Sequence, residues 1–233
     1  MIVETMTHSE AMEEIRRDTQ NVARWWRHRS KDLYRAALKR TQFPWVKWYE
    51  YQSPRKNRYL IVSICNGRNY RKTGSLACMC LRKARKGYEV YTASMLPGSQ
   101  VTPTVLLPHM YKRYAERTGM DAGTPMIDII KRFHERNSNG AVSRDDKLMS
   151  RSVRWNGEDH VAVCVRDGII LGHIDGDMYK VKTFITYDMS SGMQGEEFLR
   201  QQQKVLTEVE MVRALKQKSK TFLKYNPLKQ TRQ

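Results

Sequence analysis

His109, Arg113 and Arg117, spaced four residues apart, are the residues of this sequence best suited to chemistry. A helix turns about 100° per residue, so their side chains would fall within an arc of roughly 80° on one helix face. An imidazole can move a proton near neutral pH, and guanidinium groups stabilise charge on a phosphate. The spacing therefore suits phosphodiester chemistry, while an ordinary amphipathic helix with a solvated basic face is the alternative.

Other titratable residues form weaker patterns. His134 lies on the next predicted helix, where it would either complete an acid and base pair with His109 or end a helix at the surface. Asp167-Gly168 and Asp175-Gly176-Asp177 stand where hairpins need turns, so we expect no metal site. No P-loop, dinucleotide-binding glycine pattern, nucleophile elbow or His-Glu-x-x-His motif is present, and we expect no cofactor.

The positive charge of the chain is concentrated in one stretch. The 233 residues carry a formal net charge of +18, and between Arg16 and Lys86 twenty Lys and Arg residues face only three acidic ones. Trp and Tyr residues interleave with these cations, which would serve phosphate attraction and base stacking or, alternatively, a buried core. The residues that we expect to bind nucleic acid are Arg24, Arg27, Arg29, Lys83, Arg85 and Lys86.

The secondary structure elements that must position these residues indicate an α+β protein. We expect N-terminal helices, antiparallel β meanders flanking a helical pair, and a C-terminal helix. The expected division is a basic helical region at 1–58, an α+β core at 59–190 and a C-terminal helix with a tail at 191–233. The expected elements are one or two helices in 8–40, a connection between Pro44 and Pro54, strands near 59–65, 74–81 and 88–95, helices near 109–118 and 124–137, a loop at 137–154, strands near 160–165, 169–173 and 179–187, and a helix near 194–222.

The sequence also bears on compartment. No apolar run approaches the roughly 18 residues of a membrane helix, so we expect no membrane partner. The four cysteines lie inside apolar, strand-like runs and are expected to be small buried hydrophobes rather than disulfide partners. We therefore expect a cytoplasmic protein, in the host cell if a phage encodes it.

One known fold shares the central motif. His109-x3-Arg113-x3-Arg117, then a second helix and a meander ending in Lys182-Thr183-Phe-Ile-Thr186, resembles the barnase, EndoU, colicin and RelE-type nucleases, in their small phage- and toxin-associated branches. The resemblance covers about residues 103–189. It implies metal-independent RNA cleavage with His109, Arg113, Arg117 and the Thr183 hydroxyl at the active site, and an inhibitor or immunity protein as a further partner.

Two classes of function follow as hypotheses. The first is an endoribonuclease-like protein of a phage or mobile element that cleaves RNA by attack of the 2′-hydroxyl. The alternative is a non-catalytic nucleic-acid-binding protein, such as a virion or replication accessory factor, on a degenerate nuclease fold. RNA is the expected partner rather than DNA. Catalysis would require His109, Arg113 and Thr183 to meet in one cleft that opens to the basic region.

Overall fold

The computed structural model describes residues 1–70, 74–92, 103–137 and 160–189, together with residues 200, 203 and 207. It confirms the α+β class, with helices on both sides of one mostly antiparallel sheet. In chain order the elements are α1 (His8–Leu38), β1 (Trp45–Gln52), β2 (Arg58–Cys65), β3 (Gly74–Ala84), β4 (Gly87–Thr92), β5 (Thr104–Leu106), α2 (Pro108–Arg117), α3 (Met126–Asn137), β6 (His160–Val165), β7 (Gly168–Asp175), β8 (Met178–Ile185) and a 3₁₀ turn (Tyr187–Met189).

A single eight-stranded sheet contains both predicted meanders. Its strand order is β1-β2-β3-β4-β5-β8-β7-β6, and every neighbouring pair is antiparallel except β5 and β8. The short strand β5 joins the halves, with the Leu107 amide donating to the Val181 carbonyl at 3.0 Å. Three residues are too few to show alternation, which is why the sequence did not reveal β5 or the parallel pairing.

The connection predicted between Pro44 and Pro54 is instead the edge strand β1. All eight of its residues pair with β2, from Trp45 opposite Cys65 to Gln52 opposite Arg58. Trp, Tyr and Val residues favour strands because they pack well on a half-buried pleated surface, and the two prolines only bound the strand. The basic N-terminal region is therefore hydrogen-bonded to the rest of the sheet.

Helices cover the sheet on both faces and make three layers. The core on one face contains α2, α3 and inward residues of the strands, among them Leu60, Met79, Tyr111, Phe133 and Phe184. The core on the other face lies under α1 and includes Ile15, Tyr59, Cys80, Tyr91 and Val105. Alternate residues of the same strands supply the two cores, as the side-chain period of two requires.

A capping box starts α1, in which Thr7 and Glu10 satisfy each other's backbone amides. The helix is one continuous element of 31 residues, within the range 8–40 where one or two helices were expected. About a third of the way along the helix, the buried Asp18 carboxylate accepts hydrogen bonds from Ser53, Asn57 (2.9 Å) and Tyr59 (2.9 Å). These bonds attach α1 to the end of the β1–β2 hairpin.

Two expectations lie largely outside the described residues. They are the polar loop predicted at 137–154, of which only residue 137 is described, and the helix predicted at 194–222, of which residues 200, 203 and 207 are described as helical. Within the described part of the chain, no helix is long and apolar enough to cross a membrane.

Candidate nucleic-acid interface

Helix α2 presents His109 and Arg113 to solvent as a contacting pair. Met110, Tyr111 and Tyr114 are buried beneath it, and Pro108 occupies the first turn, where its missing N–H costs nothing. The Arg113 Nε donates to the His109 Nε2 at 3.4 Å, so the imidazole is assigned its proton on Nδ1. Arg113 also contacts Glu116 at 2.9 Å, which holds the guanidinium against the helix surface. The pair is thus arranged before any ligand binds.

Arg117 does not join that exposed pair. Its guanidinium reaches inward and donates to the backbone carbonyl of Phe184 on β8. Strand β5 ends before this point, so its backbone offers no hydrogen-bond donor to the Phe184 carbonyl of β8. One of the five Arg117 donors therefore supports the sheet, and Arg117 ties the last turn of α2 to β8.

Thr183 lies away from α2 because β8 contains a bulge. Gly172 pairs with Val181 and Leu171 with Thr183, so Lys182 is an extra residue in the strand. Val181 and Phe184 both pack in the core under α2, which leaves Thr183 on the other side. Strict alternation along β8 would put Thr183 on the same face as Val181, and the bulge reverses that placement. In the described part of the chain no hydrogen bond joins the Thr183 hydroxyl to His109, Arg113 or Arg117, so the structure does not bring the four predicted catalytic residues together.

His134 is buried rather than placed at the surface or beside His109. Its Nε2 is 2.9 Å from the Tyr111 hydroxyl, and its ring packs edge-on against Phe133. Burial lowers the pKa of His134 to about 3, so the imidazole is neutral at physiological pH. It is a core residue and supplies no second acid or base.

The β3–β4 turn lies at the N-terminus of α2. A Cβ on Gly87, which has φ of +131°, would lie 3.6 Å from the Pro108 Cβ. Alternate residues of a strand point to the same face, so Lys83 lies on the same face of β3 as Met79 and Leu81, which is the face that α2 covers. We call the resulting group the turn–α2 surface; it consists of Lys83, Arg85, Lys86, His109 and Arg113. Arg113 is partly exposed and the other four residues are exposed.

Helix α1 carries a second basic group on its outer side. At about 100° per residue, the group falls within an arc of roughly 100° opposite the buried residues of the helix. We call it the α1 stripe; it consists of Arg24, Arg27, His28, Lys31 and Arg35, all exposed. The predicted Arg29 lies outside it, with its guanidinium 5.9 Å from the Trp25 ring centre.

No acidic residue in the described part of the chain neutralises the predicted nucleic-acid-binding cations. Within the described residues, ion pairs engage other cations, such as Arg55 with Glu14 at 2.6 Å and Arg136 with Asp167 at 2.6 Å. The six predicted residues are exposed and form no ion pair with any described acidic residue; they are Arg24, Arg27, Arg29, Lys83, Arg85 and Lys86. Their charge is therefore available to an external polyanion.

Most of the interleaved aromatic residues are partly buried and pack against the core. Trp25 stacks on Tyr51 with ring centres 4.8 Å apart, and Trp26 meets Tyr49 edge-on at 5.9 Å. These rings fill the space between α1 and the sheet, next to the fully buried Tyr59. These four rings therefore pack at the edge of the core and contact one another, while remaining partly exposed.

Sequence reasoning missed a buried polar cluster at the start of α1. Arg82, which lies in the basic stretch from Arg16 to Lys86, is buried and donates to Glu89 at 2.7 Å. His8 Nδ1 lies 2.9 Å from the Tyr91 hydroxyl and 3.2 Å from Arg82. Alternation along β3 was the available signal, because it puts Arg82 and the exposed Lys83 on opposite faces.

Cys65, Cys78 and Cys80 are buried free thiols, as expected for small core residues, and burial raises the pKa of Cys80 to about 12. Among the described residues, no group of three His, Cys, Asp or Glu side chains is placed to hold a metal ion. Comparison with known proteins gives no further guidance, since no protein-family model, curated protein or solved structure matches the chain.

Proposed function

We propose that this protein binds nucleic acid, with RNA as the preferred partner, through the turn–α2 surface. The observation that carries the proposal is a group of exposed cations beside the N-terminus of α2. The group consists of Lys83, Arg85 and Lys86, and no described acidic residue neutralises it. Phosphates that contact Lys and Arg release condensed counterions, and this supplies most of the free energy of non-specific nucleic-acid binding. The preference for RNA rests on the resemblance of the α2 motif to RNA-cleaving folds.

Binding of this kind recognises the phosphate backbone of the nucleic acid rather than its bases. Trp25, Trp26, Tyr49 and Tyr51 already pack on one another between α1 and β1, so phosphate contacts by the exposed cations are the better supported mode of binding. Contacts to phosphate position a nucleic acid but carry no direct sequence information. We therefore expect similar affinities for RNAs of different sequence and equal length.

A charge-matched pair of variants tests the binding surface. Replacing Lys83, Arg85 and Lys86 with Gln should weaken RNA binding at least tenfold at 100 mM salt and reduce the slope of log K against log salt by about two to three. The control variant changes Lys39, Lys56 and Arg68 to Gln; these are exposed cations outside both surfaces. Equal losses in the two variants, or no loss in the first, would show that the turn–α2 surface is not the binding site.

RNA cleavage is the second candidate, and the 3.4 Å contact between Arg113 and His109 favours it. When Arg113 turns onto a phosphate, the His109 Nε2 lone pair becomes free to accept the proton of the 2′-hydroxyl. The 2′-oxygen then forms a bond to phosphorus while the bond to the 5′-oxygen breaks, and water protonates the leaving oxygen. Arg113 stabilises the charge on the phosphorane. The products are a 2′,3′-cyclic phosphate and a 5′-hydroxyl.

Incubation of the purified protein with RNA, with and without EDTA, tests this candidate. His109→Gln should reduce cleavage by roughly 10² to 10⁴ with little change in affinity, whereas Arg113→Lys should impair both because the guanidinium fork is lost. Lys112→Gln, which changes an exposed residue of α2 outside both basic surfaces, is the control. Cleavage that is equal in wild type and His109→Gln at matched folded concentration would exclude His109 from the reaction and leave binding alone.

A further inference from the structure

The basic residues that are continuous in sequence form two separate surfaces in the fold. The α1 stripe lies on the outer side of the helix that covers one face of the sheet. Helix α2 covers the opposite face, and the β3–β4 turn lies at its N-terminus. A helix with side chains and a sheet are each about 10 Å thick, so the three layers separate the outer sides of α1 and α2 by roughly 30 Å.

The two surfaces are also displaced along α1. Its first residue, His8, lies 3.2 Å from Arg82, one residue before Lys83. Arg24 follows sixteen residues later, which is about 24 Å along the helix axis. Short nucleic-acid duplexes are stiff, and bending one far enough to reach both surfaces would cost several kcal/mol. One short duplex therefore contacts one surface at a time.

The α1 stripe has the extent and charge of an independent phosphate-binding surface. From Arg24 to Arg35 it extends for about 16 Å along the helix. Arg24, Arg27 and Lys31 form no ion pair with any described acidic residue, and Arg35 has only the exposed Asp32, at 3.9 Å. Its side chains can track a phosphate backbone as a row of cations.

We propose that the α1 stripe is a second nucleic-acid-binding surface and that one protein molecule bridges two nucleic-acid segments. The inference rests on the proposed binding at the turn–α2 surface and adds an activity to it. Each surface holds one segment by its phosphates, and the three rigid layers keep the two segments apart. Tethering raises the effective concentration of one segment near the other.

The test uses two RNA hairpins of about twelve base pairs that are not complementary, one with a donor and one with an acceptor fluorophore. Sedimentation velocity measures the composition of the complex, and energy transfer reports that both hairpins are held together. The wild-type protein should form a complex of one protein with two hairpins and give energy transfer at low salt. An excess of unlabelled hairpin should abolish the transfer.

Variants at each surface identify the source of the second binding event. Replacing Arg24, Arg27 and Lys31 with Gln should leave one hairpin bound with its affinity within about twofold of wild type, and energy transfer should disappear. The Lys39, Lys56 and Arg68 to Gln variant should behave as wild type. A single hairpin per wild-type protein, or transfer that survives loss of the α1 stripe, would overturn bridging while leaving binding intact. No binding by the wild-type protein at low salt would instead refute the proposed function itself.

Discussion

Replacing the buried Asp18 with Ala should destabilise the protein by about 4 kcal/mol. The substitution leaves hydrogen-bond donors of Ser53, Asn57 and Tyr59 in a buried site without their acceptor. Each such group costs about 1–3 kcal/mol, and some re-pairing among the two hydroxyls reduces the total. For a chain of this length, that loss corresponds to a melting temperature lower by about 8–16 °C.

The assay is urea or thermal unfolding followed by circular dichroism, with Asp32→Ala as the control on the same helix. Asp32 is exposed and pairs only loosely with Arg35, so its loss should change the free energy of unfolding by less than about 0.5 kcal/mol. If Asp18→Ala unfolds within about 1 kcal/mol of wild type, the hydrogen bonds to Asp18 do not attach α1 to the sheet as described.

The same carboxylate gives the protein a defined sensitivity to acid. Burial alone would raise the pKa of Asp18, but hydrogen bonds from Ser53, Asn21, Asn57 and Tyr59 outweigh it and hold the pKa below its usual range. Because the unfolded chain binds the proton more readily, the stabilisation is complete above the ordinary Asp pKa and is lost as pH falls through the folded value. Asp18→Ala should lack this part of the acid dependence.

Two further predictions concern α2 and α3. Arg117→Met should lower the free energy of unfolding by about 1–2 kcal/mol, because the Phe184 carbonyl loses its hydrogen-bond donor. RNA affinity should stay within about twofold of wild type. A large loss of affinity with unchanged stability would contradict the structural role of Arg117. The NMR signals of the His134 ring should not titrate between pH 8 and 5, because the pKa of the folded imidazole is about 3. The free energy of unfolding should fall as pH drops below the ordinary histidine pKa near 6.5, because only the unfolded chain then binds that proton. A titration midpoint near 6.5 would show that the ring is exposed.

The fold could be predicted from sequence wherever one segment carried its own periodicity. The helix at 109–118 and the strands near 59–65 and 160–165 were correct to within a few residues, because capping signals, prolines and apolar runs are local. The strand β5 and its parallel pairing with β8 depend on residues 75 positions apart, and nothing local encodes that pairing.

The candidate site was less predictable because it depends on how elements pack. Helical spacing correctly placed His109 and Arg113 on one exposed side of α2. Thr183 was misplaced because one extra residue, Lys182, reverses alternation for the rest of β8. The basic stretch looked like a single surface because charge counting ignores that α1 and the β3–β4 turn lie on different sides of the sheet.

The dependence of RNA affinity on salt tests the central claim most directly. Fluorescence anisotropy of a labelled RNA, titrated with wild-type protein between 50 and 200 mM salt, measures both the affinity and its slope. If about four phosphates contact the four Lys and Arg residues of the turn–α2 surface, affinity should fall roughly a hundredfold over this range, with log K linear in log salt. Absence of binding at 50 mM salt, or an affinity that does not change with salt, would contradict phosphate recognition by these surfaces.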